Sequence, residues 1–287
     1  MHTDTAMMRS IPSKILNNGV AMPMVGLGVY NVDSRDTQRV VEDAIAEGYR
    51  SIDTAAMYRN EGGVGAAVRA AGVPRGELFV TTKIYEPCST KSETFRAVGQ
   101  SMKEIGLDYV DLMLLHWPVG RPQAMWQALE ELYSEGLFRA IGVSNFYPNT
   151  FPLIADGARV MPAVDQCEAN VLYQQRKMMQ YLEPYGVALE AWSPLAEGRH
   201  GLLAQSFLAE VGLRHGKTVA QVALRFLVQN GIVVIPKTTH RERMLENIAL
   251  FDFELTEQEM SGIRALDTGR KATSWPSDAL SYDPKEL

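Results

Sequence analysis

Asp53, Lys83 and His116 recur along the chain at nearly equal intervals, and each lies at or just beyond the end of a segment with a β-strand pattern. The intervals are 83 − 53 = 30 and 116 − 83 = 33 residues. One strand, one helix and two loops take about 30 residues. The spacing therefore predicts that the three side chains lie at the same end of three successive parallel strands. A (β/α)8 barrel builds its active site in this way, from the C-terminal ends of different strands.

The rest of the chain continues the pattern and predicts an α/β fold of the (β/α)8 TIM-barrel class. Starting from Val25, eight strand segments are each followed by helical sequence, as expected when helices cover a parallel sheet. Before them, Asn18-Gly19 predicts a tight primed turn in an N-terminal β-hairpin, because both positions of such a turn need positive φ. Extra helices are expected as well, one of them opened by a capping box of Thr256 and Glu259. A short C-terminal tail loop follows that helix.

The composition favours a single barrel domain over residues 1–287, with about residues 1–10 disordered. Barrels of this class commonly form one domain at a length near 287 residues. The net charge of −6 argues against nucleic-acid or acidic-membrane partners, which need a basic face. The chain has two cysteines, no apolar run of membrane-spanning length and no signal-peptide pattern. These features predict a cytoplasmic protein.

The residues at the strand ends form a set suited to moving a proton. A free phenol has a pKa near 10 and is a poor acid at neutral pH, but a nearby ammonium lowers that pKa. Lys83 is predicted to supply this charge to Tyr58, and Asp53 to hold Lys83 in place. His116 is predicted to hydrogen-bond a carbonyl oxygen or to share the proton of Tyr58. The set is suited to carbonyl reduction, in which hydride reaches carbon while a proton reaches oxygen.

Four segments carry a resemblance to the aldo-keto reductase family: GYRSIDTAAMYRNEGGVG, TTKI, LLHWP and GVSNF. The resemblance runs from about Lys14 to Trp275 and is greatest to bacterial members related to 2,5-diketo-D-gluconate reductase. It implies a catalytic tetrad of Asp53, Tyr58, Lys83 and His116 in an aldo-keto reductase-like barrel. It also implies NADPH-dependent reduction of small aldehydes and ketones to alcohols, by a monomer without a metal.

A phosphate-binding segment predicts the cofactor. The nearest match to a Gly-rich dinucleotide loop, GGVGAAV from Gly62, has Val68 at its third glycine position and no strand directly before it. We interpret it as a closely packed helix surface. In IPKTTHRERMLENI, by contrast, Lys237, Thr238 and Arg243 lie where a strand ends and a helix begins. Cations, hydroxyls and N–H groups at a helix start form an anion site, which the resemblance assigns to the 2′-phosphate of NADP(H).

The resemblance assigns further cofactor contacts to the mouth of the barrel. Polar groups at the ends of strands five and six would hold the nicotinamide carboxamide, and an aromatic ring after strand seven would stack on the nicotinamide. The implied contacts are Ser144, Asn145 and Gln166 for the carboxamide, Trp192 for the ring, Ser193 and Leu195 for the pyrophosphate, Glu246 and Asn247 for the adenine, with Val29, Tyr30, Asp53, Lys237, Thr238, Thr239 and Arg243 completing the set.

Aromatic side chains are predicted to wall the substrate pocket. Trp117 follows His116 directly, Tyr30 closes the first barrel strand, and Tyr85 follows the third. Trp275, in the tail, is the candidate for a further wall. The position of Tyr85 is commonly Trp in the diketogluconate-type relatives, so this residue departs from their pattern.

Three other functions stay open from the sequence. The same residues would serve an NADP-dependent alcohol dehydrogenase working in the reverse direction. A non-catalytic nucleotide-sensing protein is a second alternative, against which the intact tetrad argues. A barrel that acts on phosphate esters through Lys237 is the third, and the amide-binding residues with Trp192 argue against it.

Overall fold

The computed structural model describes residues 11–275, so the predicted disorder of about residues 1–10 lies outside the described part. The N-terminal hairpin consists of β1 (Ser13–Ile15) and β2 (Ala21–Pro23), which pair antiparallel. The predicted primed turn is wrong: Gly19 has a φ of 85°, but Asn18 does not enter the left-handed region. The amide of Gly19 instead donates to the carbonyl of Leu16 over 2.9 Å. This is the longer hairpin loop in which one glycine takes the left-handed position.

Eight parallel strands follow and form one sheet in sequential order, as predicted. Six of them are buried along their whole length, which fits strands enclosed by helices. The strands are β3 (Leu27–Gly28), β4 (Ser51–Asp53), β5 (Phe79–Ile84), β6 (Val110–Leu115), β7 (Phe138–Ser144), β8 (Val164–Glu168), β9 (Ala188–Trp192) and β10 (Val233–Val234).

The first and last strand segments meet and close the sheet into a barrel. Val25 forms a parallel bridge to Val234. Two further backbone bonds reinforce it: the amide of Gly26 donates to the carbonyl of Val234 over 2.9 Å, and the amide of Val234 donates to Met24 over 3.0 Å. The predicted (β/α)8 barrel is confirmed.

Local sequence signals explain where several of the helices begin and end. Thr90 opens the helix Lys91–Ile105 with a full capping box to Glu93, and Gly106 ends it in the left-handed conformation. The capping box of Thr256 and Glu259 opens the helix Glu257–Arg264 as predicted. The helices are α1 (Ser34–Ala46), α2 (Glu61–Ala70), α3 (Lys91–Ile105), α4 (Pro122–Ser134), α5 (Pro152–Ala155), α6 (Arg176–Leu182), α7 (Ser206–His215), α8 (Val219–Gln229), α9 (Arg241–Ile248) and α10 (Glu257–Arg264).

The helix α7 was not predicted from the sequence. The glycine-rich start of α2 is a packing surface, as predicted. A Cβ on Gly65 would lie 1.6 Å from the carbonyl oxygen of Ile105, so α2 can approach α3 this closely only with glycine there.

Within residues 11–275, no helix combines the length and apolar character that crossing a membrane would require. That the whole chain forms one domain stays a prediction.

Candidate active site

The three regularly spaced residues lie at the same end of neighbouring strands. Asp53 is the last residue of β4, Lys83 is the penultimate residue of β5, and His116 directly follows β6. Tyr58 ends a short 3-10 turn, Ala56–Tyr58, in the loop after β4. Because these strands are adjacent and parallel, the four side chains converge at one end of the barrel.

Lys83 is the centre of this cluster and is completely buried. Its ammonium lies 2.6 Å from Oδ1 of Asp53 and donates to the carbonyl of Thr54 over 2.9 Å. It also donates to the hydroxyl oxygen of Tyr58 over 3.4 Å. An ammonium has donors and no acceptor. The Tyr58 oxygen therefore accepts from Lys83, which leaves the proton of the Tyr58 hydroxyl for another partner.

Burial sets the protonation of the cluster more strongly than the sequence suggested. Burial raises the pKa of Tyr58 to about 12, although the charge of Lys83 acts in the lowering direction. The predicted net lowering of the Tyr58 pKa is therefore wrong, because desolvation outweighs the ammonium. Burial also acts to lower the pKa of Lys83, but the neighbouring acidic groups, with Asp53 first among them, together outweigh burial and raise that pKa. Tyr58 is thus a protonated phenol beside a charged ammonium.

His116 is buried beside the same cluster and is neutral. Burial lowers its pKa well below the ordinary value, and the charge of Lys83 adds to the shift. Its ring centroid lies 5.8 Å from that of Tyr58 in an edge-on arrangement. Its Nδ1 atom is buried and has no hydrogen-bond partner among residues 11–275. A neutral imidazole keeps one N–H that can be donated.

Polar side chains at the ends of β7, β8 and β9 form the adjacent wall. Asn145 Nδ2 donates to the carbonyl of His116 over 3.1 Å and to Ser144 Oγ over 3.0 Å. Ser144 Oγ in turn donates to the backbone carbonyl of Gln166 over 2.9 Å. Asn145 and Ser193 have positive φ values of 63° and 52°. Residues other than glycine rarely adopt this left-handed backbone conformation, and those that do cluster at functional sites.

The predicted anion site lies beyond this wall. Lys237 and Arg243 are exposed, and Thr238 between them is buried. Thr238 Oγ1 accepts from the amide of His240, the residue just before α9. The strand end and helix start thus carry two cations and a hydroxyl on one stretch of surface.

A cavity of about 640 Å³ joins the cluster, the polar wall and the cations. This volume is in the range of small-molecule sites. Of the predicted site residues, the cavity is lined by Tyr30, Asp53, Tyr58, His116, Trp117, Asn145, Gln166, Trp192, Ser193, Leu195, Lys237, Thr238, Arg243, Glu246, Asn247 and Trp275.

Five predicted residues lie outside this lining. Lys83 and Ser144 are buried behind it and act on lining residues through the hydrogen bonds given above. Val29 is buried, and its carbonyl accepts from the side chain of Asn60. Tyr85 and Thr239 are half-buried and are not brought to the cavity either.

Two buried carboxyl groups near the site were missed from the sequence. Glu190 lies in β9 beneath the lining, and Gln166 Nε2 donates to it over 2.7 Å.

Glu168, at the end of β8, accepts from the amide of Ala272 over 2.5 Å and from Thr273 Oγ1 over 2.6 Å, which holds the tail on the barrel rim. Beyond it, the ring of Trp275 stacks on Trp117 with centroids 5.6 Å apart. An acidic residue two positions before a strand-end tryptophan was the available signal for Glu190.

Comparison with known proteins gives consistent matches over most of the chain. The model of the Aldo/keto reductase family matches residues 24–268. The chain is 42% identical over 267 residues to a 9,11-endoperoxide prostaglandin H2 reductase of Trypanosoma cruzi, covering 92% of this chain and 94% of that one. It is also 42% identical over 267 residues to a glyoxal reductase of Bacillus subtilis, covering 92% and 96%. A Bombyx mori aldo-keto reductase solved in complex with NADP superimposes with a TM-score of 0.88 at 31% identity, covering 96% and 98%.

Proposed function

The chain belongs to the aldo/keto reductase family, and on this premise we propose that it reduces small aldehydes and ketones to alcohols with Tyr58 as the proton donor. Its enzyme class is that of the NADP-dependent oxidoreductases acting on carbonyl groups. The assignment of individual residues to steps of the reaction is the proposal. The narrower likeness to 2,5-diketo-D-gluconate reductases, the monomeric state and the cytoplasmic location stay predictions.

One observation carries the choice of Tyr58: its oxygen accepts from the Lys83 ammonium over 3.4 Å while it lines the cavity. The phenol proton is then available to a carbonyl oxygen in the cavity. As that proton leaves, the phenolate forms beside a charge that is held in place by Asp53 at 2.6 Å. A preorganised charge at the position where negative charge develops lowers the barrier.

His116 supports the same step as a hydrogen-bond donor. Its neutral ring lines the cavity next to Tyr58. A neutral N–H can polarise a carbonyl oxygen without competing with Tyr58 for the proton. We therefore assign His116 to orienting the substrate oxygen.

The cavity residues fit a nicotinamide dinucleotide phosphate. The buried hydroxyl of Ser193 has no partner among the described residues, and the amide groups of Asn145 and Gln166 face the same space. Lys237 and Arg243 would hold the 2′-phosphate at the far end, and Trp192 would pack against the nicotinamide ring. When bound, NADPH supplies the hydride for the carbonyl carbon.

The substrate end of the cavity favours small, uncharged carbonyl compounds. Tyr30, Trp117 and Trp275 line it, and the cations Lys237 and Arg243 belong to the other end. The relative from Bacillus subtilis is named for glyoxal. We propose 2-oxoaldehydes of similar size as the first substrates to test.

The experiment follows NADPH oxidation with glyoxal, methylglyoxal, an aromatic aldehyde and a keto-sugar. We expect turnover of at least one of them. Tyr58→Phe should lose about 10²–10⁴-fold in kcat, the usual contribution of a positioned acid, while NADPH binding is retained. Tyr109→Phe is the matched control, because Tyr109 lies just before β6 at the opposite end of the barrel.

Full activity of Tyr58→Phe would refute the proton-donor assignment. Tight NADPH binding without turnover of any carbonyl compound would instead favour a nucleotide-sensing role.

A further inference from the structure

A chain of hydrogen bonds beneath the cavity joins three buried side chains, Asp53, Gln166 and Glu190. Gln166 Nε2 donates to Asp53 Oδ2 over 2.8 Å and to Glu190 Oε2 over 2.7 Å. All three residues are at most 2% exposed. The other carboxylate oxygen of Asp53 holds Lys83 at 2.6 Å, so this chain runs into the centre of the catalytic cluster.

Glu190 is the member of this chain that the proposed reaction does not use. Asp53 and Gln166 line the cavity, whereas Glu190 lies one layer deeper. Its Oε1 atom has no hydrogen-bond partner in residues 11–275. Burial raises its pKa to about 8, and the nearby Asp53 carboxylate adds to the shift. A buried carboxyl group with one partner is costly, which makes Glu190 a candidate for a function beyond packing.

The two carboxyl groups determine which way the Gln166 amide points. A primary amide has an NH₂ end with two donors and an oxygen end that only accepts. If the amide were reversed, the Gln166 oxygen would lie less than 3 Å from one carboxyl oxygen of Asp53 and one of Glu190. The contact with Asp53 would then have no hydrogen atom to form a hydrogen bond. With Glu190 and Asp53 each taking one N–H, the NH₂ end is fully used. The carbonyl oxygen Oε1 is then the atom that Gln166 presents to the cavity.

We propose that Glu190 is a positioning residue: it holds the side-chain amide of Gln166 so that the amide oxygen faces the cavity as a hydrogen-bond acceptor. This orientation favours a bound ring that carries a carboxamide NH₂ group. This inference rests on the proposed function, in which Gln166 meets the nicotinamide carboxamide. Asp53 alone holds one N–H and lets the amide turn about that bond. Glu190 supplies the second anchor, which fixes the plane of the amide. Glu190 itself touches neither cofactor nor substrate.

The test compares binding of NADP⁺ with binding of its 3-acetylpyridine analogue, in which a methyl group replaces the carboxamide NH₂. Dissociation constants are measured by quenching of tryptophan fluorescence, independently of turnover. The wild type should prefer NADP⁺ by about fivefold, the value of one neutral hydrogen bond. Glu190→Met removes the acceptor at similar length and should reduce this preference to less than about twofold. Glu190→Gln keeps a carbonyl oxygen toward Gln166 and should retain the preference.

Glu190→Asp repeats the test in a variant that keeps the carboxyl group, in case Glu190→Met does not fold. Its shorter side chain withdraws the acceptor, so its preference should also fall. An unchanged preference in the Met and Asp variants would overturn the inference about Glu190, while reductase activity and the proposed function would stand. Equal binding of both nucleotides by the wild type would overturn it as well, because Gln166 would then not meet the carboxamide. Loss of the preference in Glu190→Gln would point to the charge of Glu190 rather than its acceptor and would also overturn it.

Discussion

The indole N–H of Trp192 donates to Oδ1 of Asn145 over 3.0 Å. This bond joins the ends of β9 and β7 across the intervening strand β8, and it fixes the plane of the Trp192 ring at the cavity wall. The ring proposed to pack against the nicotinamide is therefore positioned before any ligand arrives. Preorganisation of this kind improves affinity by reducing the ordering needed on binding.

Trp192→Phe should separate the hydrogen bond from the ring surface. It keeps an aromatic face but leaves Asn145 without this donor, so we expect NADPH affinity to fall by about 3- to 10-fold, the value of one hydrogen bond. Trp192→Ala should weaken binding further because it also removes the stacking area. Fluorescence of bound NADPH would measure both; equal affinities for the Phe variant and the wild type would contradict a role for the hydrogen bond.

Lys237→Ala should weaken binding of NADPH far more than binding of NADH. A charge-assisted bond to phosphate contributes about 1.5–3 kcal/mol, so we expect a loss of about 10- to 100-fold for NADPH. Calorimetry with both nucleotides measures the ratio, and Lys103→Ala on α3 serves as an exposed-cation control. A similar loss for NADH would show that Lys237 does not contact the 2′-phosphate.

Lys83→Met should destabilise the protein strongly, because it leaves Asp53 buried without its cation. Breaking a buried pair in this way costs about 3–5 kcal/mol in the free energy of unfolding. The control is Lys91→Met, which removes the exposed pair with Glu131 and should cost at most about 1 kcal/mol. Urea unfolding compares them, and adding Asp53→Asn to Lys83→Met should restore part of the loss. Equal effects of the two single variants would refute the buried ion pair.

Glu190→Gln should stabilise the protein relative to the wild type, and this gain in the free energy of unfolding should be larger at alkaline than at acidic pH. The pKa of Glu190 is raised from 4.5 to about 8 in the folded state. Between these values the unfolded chain releases a proton that the folded chain retains, so wild-type stability falls as pH rises through this window. The variant has no such proton, and its advantage should vanish near pH 4.5 and be largest from about pH 8. If the free energies of unfolding of the variant and the wild type changed in parallel between pH 4.5 and about 8, that result would contradict the raised pKa of Glu190.

The repeat of strand and helix was readable from the sequence because each barrel unit obeys local rules. Strand ends carrying Asp53, Lys83 and His116 gave the position of the candidate site, and the Thr256 capping box gave the start of α10. The hairpin turn was not predictable in the same way. Asn18-Gly19 suits two loop types, and the pairing of Ile15 with Ala21 selects between them.

The electrostatics of the site needed the folded structure. Sequence gives the charge of Lys83 but not the desolvation of Tyr58, which outweighs that charge and raises the pKa. Likewise, Glu190 stands in the segment VALEAW, and its partner Gln166 lies 24 residues away along the chain. The register of β8 against β9, in which Gln166 pairs with Glu190, is what brings the two together.

The bridge between Val25 and Val234 also bears on how the protein is made. A chain emerging from the ribosome has completed seven barrel strands by Trp192 but cannot pair β3 with its last neighbour until residue 234 is available. Until then both outer strands offer unsatisfied backbone groups to other chains. Throughout the interval between strands seven and eight, which contains α7 and α8, the growing barrel therefore keeps two unpaired edges.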